Sequence, residues 1–259
     1  MSDLIHPTAI IEPGAQLGEG VRVGAYAYIG ANVKIGRGTV VQHHASIEGN
    51  TTIGEDCEFF SFSCIGKKTQ DLKYDGGTTY VQIGDRCVFR EFTTVNSGTR
   101  DGEVTKIGSD CLIMTYTHIA HGCALGNHII ISNCCQIAGE VTIEDYVTIG
   151  GMSGVHQFAR IGCHAMLGGM TAAKQDVAPY MIVDGATEAL TRGVNLVGLH
   201  RRGFKADVCA QLKEAYRLIY REGLNRSQAI ERIELEMDLS VPELKNLVEF
   251  YKSTRRGVL

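Results

Sequence analysis

The chain has 259 residues, 21% of them charged, with a formal net charge of −4 and no tryptophan. That length suits one large domain with an appendage. No apolar run approaches the ~20 residues of a membrane span, and no basic stripe interleaved with aromatic residues points to nucleic acid. The charge is uneven: from His200 onward 12 Lys/Arg stand against 9 Asp/Glu, and the remainder carries 13 against 20. A basic tail on an acidic body suits an acidic partner. No leader peptide opens the chain, so the expectation is a soluble, cytoplasmic protein.

From Ile5 to Leu167 every sixth residue is apolar at 25 of 28 positions, and only Asp71, Gly77 and Asp101 break the beat. Neither a helix nor a flat strand repeats every six residues, so the pattern predicts a solenoid. Two residues before each beat the side chain is usually small, as in Ala27, Thr39, Cys57 and Cys135, and a glycine often follows, as in Gly18, Gly24 and Gly150. Those glycines are read as turn residues that reach positive φ without steric penalty. Three short strands, one per beat, close a triangular coil, and coils stack at roughly 4.8 Å. Five of the nine cysteines (Cys57, Cys87, Cys111, Cys123, Cys135) fall at the small position and are read as compact buried groups, with neither disulfide nor metal spacing.

The interruptions at 67–80 and 96–104 are polar and turn-rich, and are expected to be loops that leave the register intact. After Leu167 the beat fades, and Pro179 closes the coil region. From about Asn195 the spacing becomes helical: Ala206–Arg221 with Gly223 as a stop, then two more helices with Ser227 and Ser240 read as N-caps and Pro242 in the last first turn. The predicted fold is mainly β: a parallel β-helix over 1–190 and a small C-terminal α-helical domain over 191–259.

Function has to come from residues that the repeat does not need. In Thr117-His118-Ile119-Ala120-His121, Ile119 points inward and leaves both histidines at or near a corner with their rings free. The column through His121 continues at Gly139 and Gln157, one and two coils on. A base, a backbone N–H and an amide in single file beside a long groove suit acyl transfer: imidazole takes a hydroxyl proton near neutral pH, and the glycine N–H meets the oxyanion.

The chain resembles the UDP-N-acetylglucosamine 3-O-acyltransferases of lipid A biosynthesis along essentially its whole length. The resemblance rests on HPTAII (His6–Ile11), QDLKY (Gln70–Tyr74), HIAH (His118–His121), VHQF (Val155–Phe158), QDVAPY (Gln175–Tyr180) and GVNLVGLHRRGF (Gly193–Phe204). It implies a left-handed coil and a homotrimer with sites in the clefts between prisms. His121 would be the general base and Gly139 the oxyanion donor. Asp71 and Lys73 would engage the sugar and its phosphates, and His118, His156 and Gln157 would line the substrate site. Asn195, Arg201 and Arg202 would hold the nucleotide, and Gly169 would sit at the acyl-chain ruler. The acyl donor would be an acyl carrier protein, acidic in character, and no cofactor or metal is implied.

Several positions depart from the family's pattern. Gly122 stands where an aspartate is common, Glu140 where a histidine is usual, Asn96-Ser97 open the second loop in place of His/Asn-Arg, and Val197 replaces a glutamate. Glu140 lies one full coil beyond Gly122, so its carboxylate is expected above the gap, near the His121 ring. Three other readings remain at this stage: acylation of a 3-amino sugar, a metal hydrolase or lyase using His118 and His121, and a non-catalytic scaffold.

Overall fold

In the computed structural model, which describes residues 4–259, each apolar beat residue from Ile11 onward falls in a short strand with its side chain turned inward. The strands form three parallel sheets, the faces of a prism. The first face has nine strands, from Ile10–Ile11 to Ala172–Ala173; the second has eight, from Gln16–Leu17 to Arg160–Ile161. The third has ten, from Arg22–Val23 to Leu190–Val194. On the first face Ile29, Ile47, Ile65, Val95, Ile119, Ile137, Val155 and Ala173 lie in register one above another. All eight are buried, and together with the equivalent columns of the other faces they fill the prism with Ile, Val, Leu and two stacked rings, Phe59 and Phe89.

The interruptions keep phase because of their lengths. Ile53 pairs with Ile83, and Ile83 with Ile107. Each step exceeds a regular coil by whole beats, two in the first case and one in the second, so the inward column is not disturbed. The extra chain leaves the prism between strands Cys64–Lys67 and Tyr80–Ile83, and between Thr94–Asn96 and Val104–Ile107. Lys67, Tyr80, Asn96 and Val104 therefore belong to strands. Asn96, Ser97 and Thr99 are buried and tie the loops together: Thr79 Oγ1 donates to Ser97 Oγ, the Ser97 N–H donates to the Lys67 carbonyl, and the Thr69 and Thr99 hydroxyls bond at 3.0 Å.

The glycines after the beat do a different job from the one expected. Positive φ occurs at the third residue after the beat, and there mostly in non-glycine residues such as Tyr26, Phe62, Tyr116 and His164. Gly18, Gly24 and Gly150 instead pass close under the next coil: a Cβ on Gly24 would stand 2.6 Å from the His43 backbone nitrogen, and one on Gly150 2.5 Å from that of Gly169. They are glycine because coil stacking leaves no room for a side chain. The cysteines behave as expected: Cys57, Cys111, Cys123 and Cys135 each direct the thiol to a carbonyl of the following coil.

The third face ends in a feature that the repeat did not announce, an antiparallel pair of Met181–Asp184 with Leu190–Val194. Four helices follow: α1 (Leu196–Arg201), α2 (Ala206–Tyr220), α3 (Arg226–Glu236) and α4 (Pro242–Ser253). Two cap assignments are corrected. Asn225 caps α3, forming a capping box with Gln228, and Ser227 lies inside the helix. Ser240 does not cap α4; Val241 holds that position without a side-chain bond, and the fixed φ of Pro242 sets the first turn. The helices share a core with the prism end, with Leu199, Leu212, Leu244 and Phe250 packed on Tyr180 and Met181. Arg160 also lies over the Phe250 ring, and Asn246 Nδ2 donates to Tyr180 Oη. Among the described residues, no helix is long and apolar enough to cross a membrane.

Because the Gly24 clash is with backbone, Gly24→Ala is expected to cost roughly 1–3 kcal/mol in denaturant unfolding. Gly193→Ala, with nothing within 4 Å of the new Cβ, should stay within about 0.5 kcal/mol of the parent.

Candidate active site

Alternation on the first face sends Ile119 and Ile137 inward and His118, Gln136, Gly154 and Ala172 outward. At the corner that follows, the second residue past each beat is His121, Gly139 and Gln157. The stacking is direct: the N–H after Gly139 donates to the His121 carbonyl, and the N–H after Gln157 donates to the Gly139 carbonyl. These residues border a cavity of about 620 Å³, closed on one side by Gln70, Asp71 and Lys73 of the long loop. Small side chains (Ala120, Ala138, Gly154, Ala172, Ala173) floor it, which leaves room for an apolar chain.

His121 is buried, with Nε2 turned to the cavity 3.5 Å from Asp71 Oδ2. Its Nδ1 is buried without a hydrogen-bond partner. Gly139 must be glycine, since a Cβ there would run into the imidazole ring. The Gly139 N–H meets no acceptor among the described residues, so it is available to an oxyanion beside the ring. His118 Nδ1 pairs with the Thr94 hydroxyl at 2.7 Å. Burial, with the neighbouring His121 adding to it, holds the His118 pKa below the ordinary 6.5, so its ring is neutral at pH 7. At the far edge, an Arg256 guanidinium nitrogen donates to His156 Nδ1 at 3.1 Å.

Seven of the eleven residues singled out from sequence thus surround one cavity: Asp71, Lys73, His118, His121, Gly139, His156 and Gln157. The others do not join it within one chain. Asn195, Arg201 and Arg202 line a separate hollow of about 290 Å³ with Tyr146, Thr148 and His164. There Arg202 lies over the Tyr146 ring, and both polar ends of Asn195 are already engaged, Oδ1 accepting from the Gly198 N–H and Nδ2 donating to the His164 carbonyl. Gly169 sits at the corner after the third face, where a Cβ would have only the Gly151 carbonyl near it, at 3.5 Å. Val197 is exposed.

Two residues escaped the sequence reading. Lys174 lines the cavity one coil past His156. Glu103 lies one coil before His121, so the same column, followed downward, would have found it. Glu103, His121 and Glu140 are the one trio among the described residues placed to hold a metal ion, with one ligand atom of each within 4.8 Å of the others. Glu140 is accordingly near the His121 ring, as its register implied.

The neutral, half-buried His118 ties stability to pH. Its folded pKa is depressed, so its contribution is full above about pH 6.5 and is lost as pH falls through the lower folded value. The melting temperature should therefore drop as the pH falls below about 6.5, and His118→Asn should flatten that slope. Parallel slopes for parent and variant would contradict it.

The comparisons with known proteins give the family. Residues 105–139 match the bacterial transferase hexapeptide model, and 176–259 match domain 2 of UDP-N-acetylglucosamine O-acyltransferase. The structure of LpxA from Acinetobacter baumannii is 41% identical, covers 99% of this chain and 100% of its own, and superposes with a TM-score of 0.95. The UDP-N-acetylglucosamine acyltransferase of Francisella novicida is 35% identical over 98% of this chain and 93% of its own, also at 0.95. LpxA from Bacteroides fragilis is 37% identical over 98% and 99%, at 0.94. With them the chain shares the left-handed parallel β-helix carrying C-terminal helices. Fold, corner column and near-complete coverage together make this chain a member of the UDP-N-acetylglucosamine acyltransferase family.

Proposed function

We propose that the chain transfers a 3-hydroxyacyl group from the thioester of an acyl carrier protein to the 3-hydroxyl of UDP-N-acetylglucosamine, the opening step of lipid A biosynthesis. The observation that carries this is His121 Nε2 opening onto a long apolar-floored cavity beside the free N–H of Gly139. Nε2 takes the proton from the sugar 3-hydroxyl as that oxygen attacks the thioester carbon. The Gly139 N–H receives the charge that develops on the carbonyl oxygen. When the intermediate collapses, the C–S bond breaks and the proton on Nε2 passes to the departing thiolate, leaving an ester, a thiol and a neutral base. No cofactor enters this balance.

Asp71, 3.5 Å from Nε2, is placed to accept a sugar hydroxyl on the same side. Lys73 and Lys174 are the cations at the cavity for the diphosphate, and His118, His156 and Gln157 orient the sugar and the acyl chain. The nucleotide is assigned to Asn195, Arg201 and Arg202, arginine being suited to bidentate phosphate contacts. Gly169 is assigned to the acyl terminus, where the lack of a side chain admits a longer chain.

These last assignments require more than one copy of the chain, and we propose a homotrimer in the cytoplasm. Two features support it. The nucleotide hollow and Gly169 lie on or beside the third face, away from the His121 corner. The corner that carries Gly169 also exposes an apolar stripe of Tyr26, Phe62, Phe92, Tyr116, Met152 and Met170, several of them stacked. A monomer would leave that stripe in water. The basic tail supplies the charge complement for an acidic carrier protein.

His121→Ala is expected to lower turnover about a hundredfold or more, as removal of a general base does, with the fold retained. Undiminished turnover would remove His121 from the mechanism. Light scattering on the eluting protein should return three times the 28.1 kDa chain mass; a monomer mass with full activity would contradict the shared site.

A further inference from the structure

For Nε2 of His121 to accept a proton, Nδ1 must already carry one, and the cation then formed spreads its charge over both nitrogens. Yet Nδ1 is buried without a partner, in a residue only 8% exposed. A buried imidazolium left unbalanced is costly. Two carboxylates stand ready. Glu103 comes from the coil below and Glu140 from the coil above, and one oxygen of each lies within 4.8 Å of a ring nitrogen of His121 and of the other carboxylate.

Gly122 makes the space. It has φ +65°, and a Cβ there would stand 2.9 Å from Glu103 Oε1 and 3.1 Å from Glu140 Cγ, so the glutamates occupy the volume that a side chain at 122 would claim. Glu103 is fixed on its other side, where Oε2 accepts the N–H groups of Thr99 and Arg100. Glu140 faces the exposed Arg100 guanidinium at 3.7 Å. The remaining charged or titratable groups facing the imidazole are Asp71 at Nε2, Lys73 of the same loop and His118 on the preceding strand. Within that 4.8 Å, in a poorly solvated corner, the two carboxylates attract the positive charge that forms on the ring during transfer.

We propose that Glu103 and Glu140 are positioning residues for His121: the pair stabilises the imidazolium formed during transfer. Neither touches substrate. The inference rests on the assignment of His121 as base, and its test separates the two. Nitrogen-15 imidazole spectra, with the His121 signals identified by their loss in His121→Ala, report the His121 titration without reference to activity. The kinetic companion is kcat and KM against pH, in parent, Glu103→Gln, Glu140→Gln and the double variant. Glutamine at 103 keeps an oxygen for Thr99 and Arg100, so the loop is retained while the charge is lost. Glu140→Gln, which disturbs no backbone bond, carries the test alone if the Glu103 variant fails to fold.

Each single variant should lower the His121 titration by about half a unit or more, and the double variant by more again. The acidic limb of kcat/KM should move with it, while kcat falls about tenfold and KM stays within about twofold. Glu103→Asp should restore part of both effects. A double variant that titrates within about 0.2 units of the parent would overturn the proposal. So would activity that a chelator abolishes and zinc restores, since the trio would then be a metal site. Full turnover in His121→Ala would instead sink the base assignment, leaving the titration to report on the carboxylates.

Discussion

Burial of one apolar residue in six, inside a prism whose coils hydrogen-bond backbone to backbone, is the constraint on which the rest depends. An inward slip of one residue would turn Ile119 and Ile137 to solvent and their polar neighbours into the core. The beat therefore fixes which side chains face out, and stacking fixes which outward groups sit above one another. Even the insertions obey it, adding two beats and then one, so that Ile53, Ile83 and Ile107 remain aligned. Glycines such as Gly24 let the coils approach that closely. Left-handed backbone at the corners, borne largely by non-glycine residues, lets each face turn into the next.

The chemistry inherits its geometry from this scaffold. His121, Gly139 and Gln157 are side by side because each follows the last by one full coil, not because any local motif holds them. The same rule delivers Glu103 from below, and the glycine at 122 leaves room for two carboxylates beside the ring. A rigid column of this kind needs little reorganisation when charge develops at the reacting carbonyl, which is the physical advantage of building acyl transfer on a solenoid edge.

Much of this was legible in the sequence, for a simple reason: a fixed beat and a fixed number of beats per coil are arithmetic, and arithmetic survives without coordinates. The core columns, both loops, the structural cysteines, the His121–Gly139–Gln157 file and the nearness of Glu140 all follow from it. The misreadings come from where arithmetic stops. The glycines after the beat looked like turn formers because composition does not distinguish positive φ from a close approach. Asn225 and Gln228 outcompeted Ser227 as a cap because both partners of the box were present. The antiparallel pair at Met181–Asp184 and Leu190–Val194 carries no hexapeptide signature. Glu103 was missed by following the column in one direction only. Asn195, Arg201, Arg202 and Gly169, which came from the resemblance and not from the beat, stand apart from the cavity, on or beside the third face.

A structure of the protein with UDP-N-acetylglucosamine bound tests the central claim most directly. The account predicts the sugar 3-oxygen within hydrogen-bond reach of His121 Nε2, between the Asp71 carboxylate and the Gly139 N–H. A nucleotide sugar seated with that oxygen turned away from the column would contradict it.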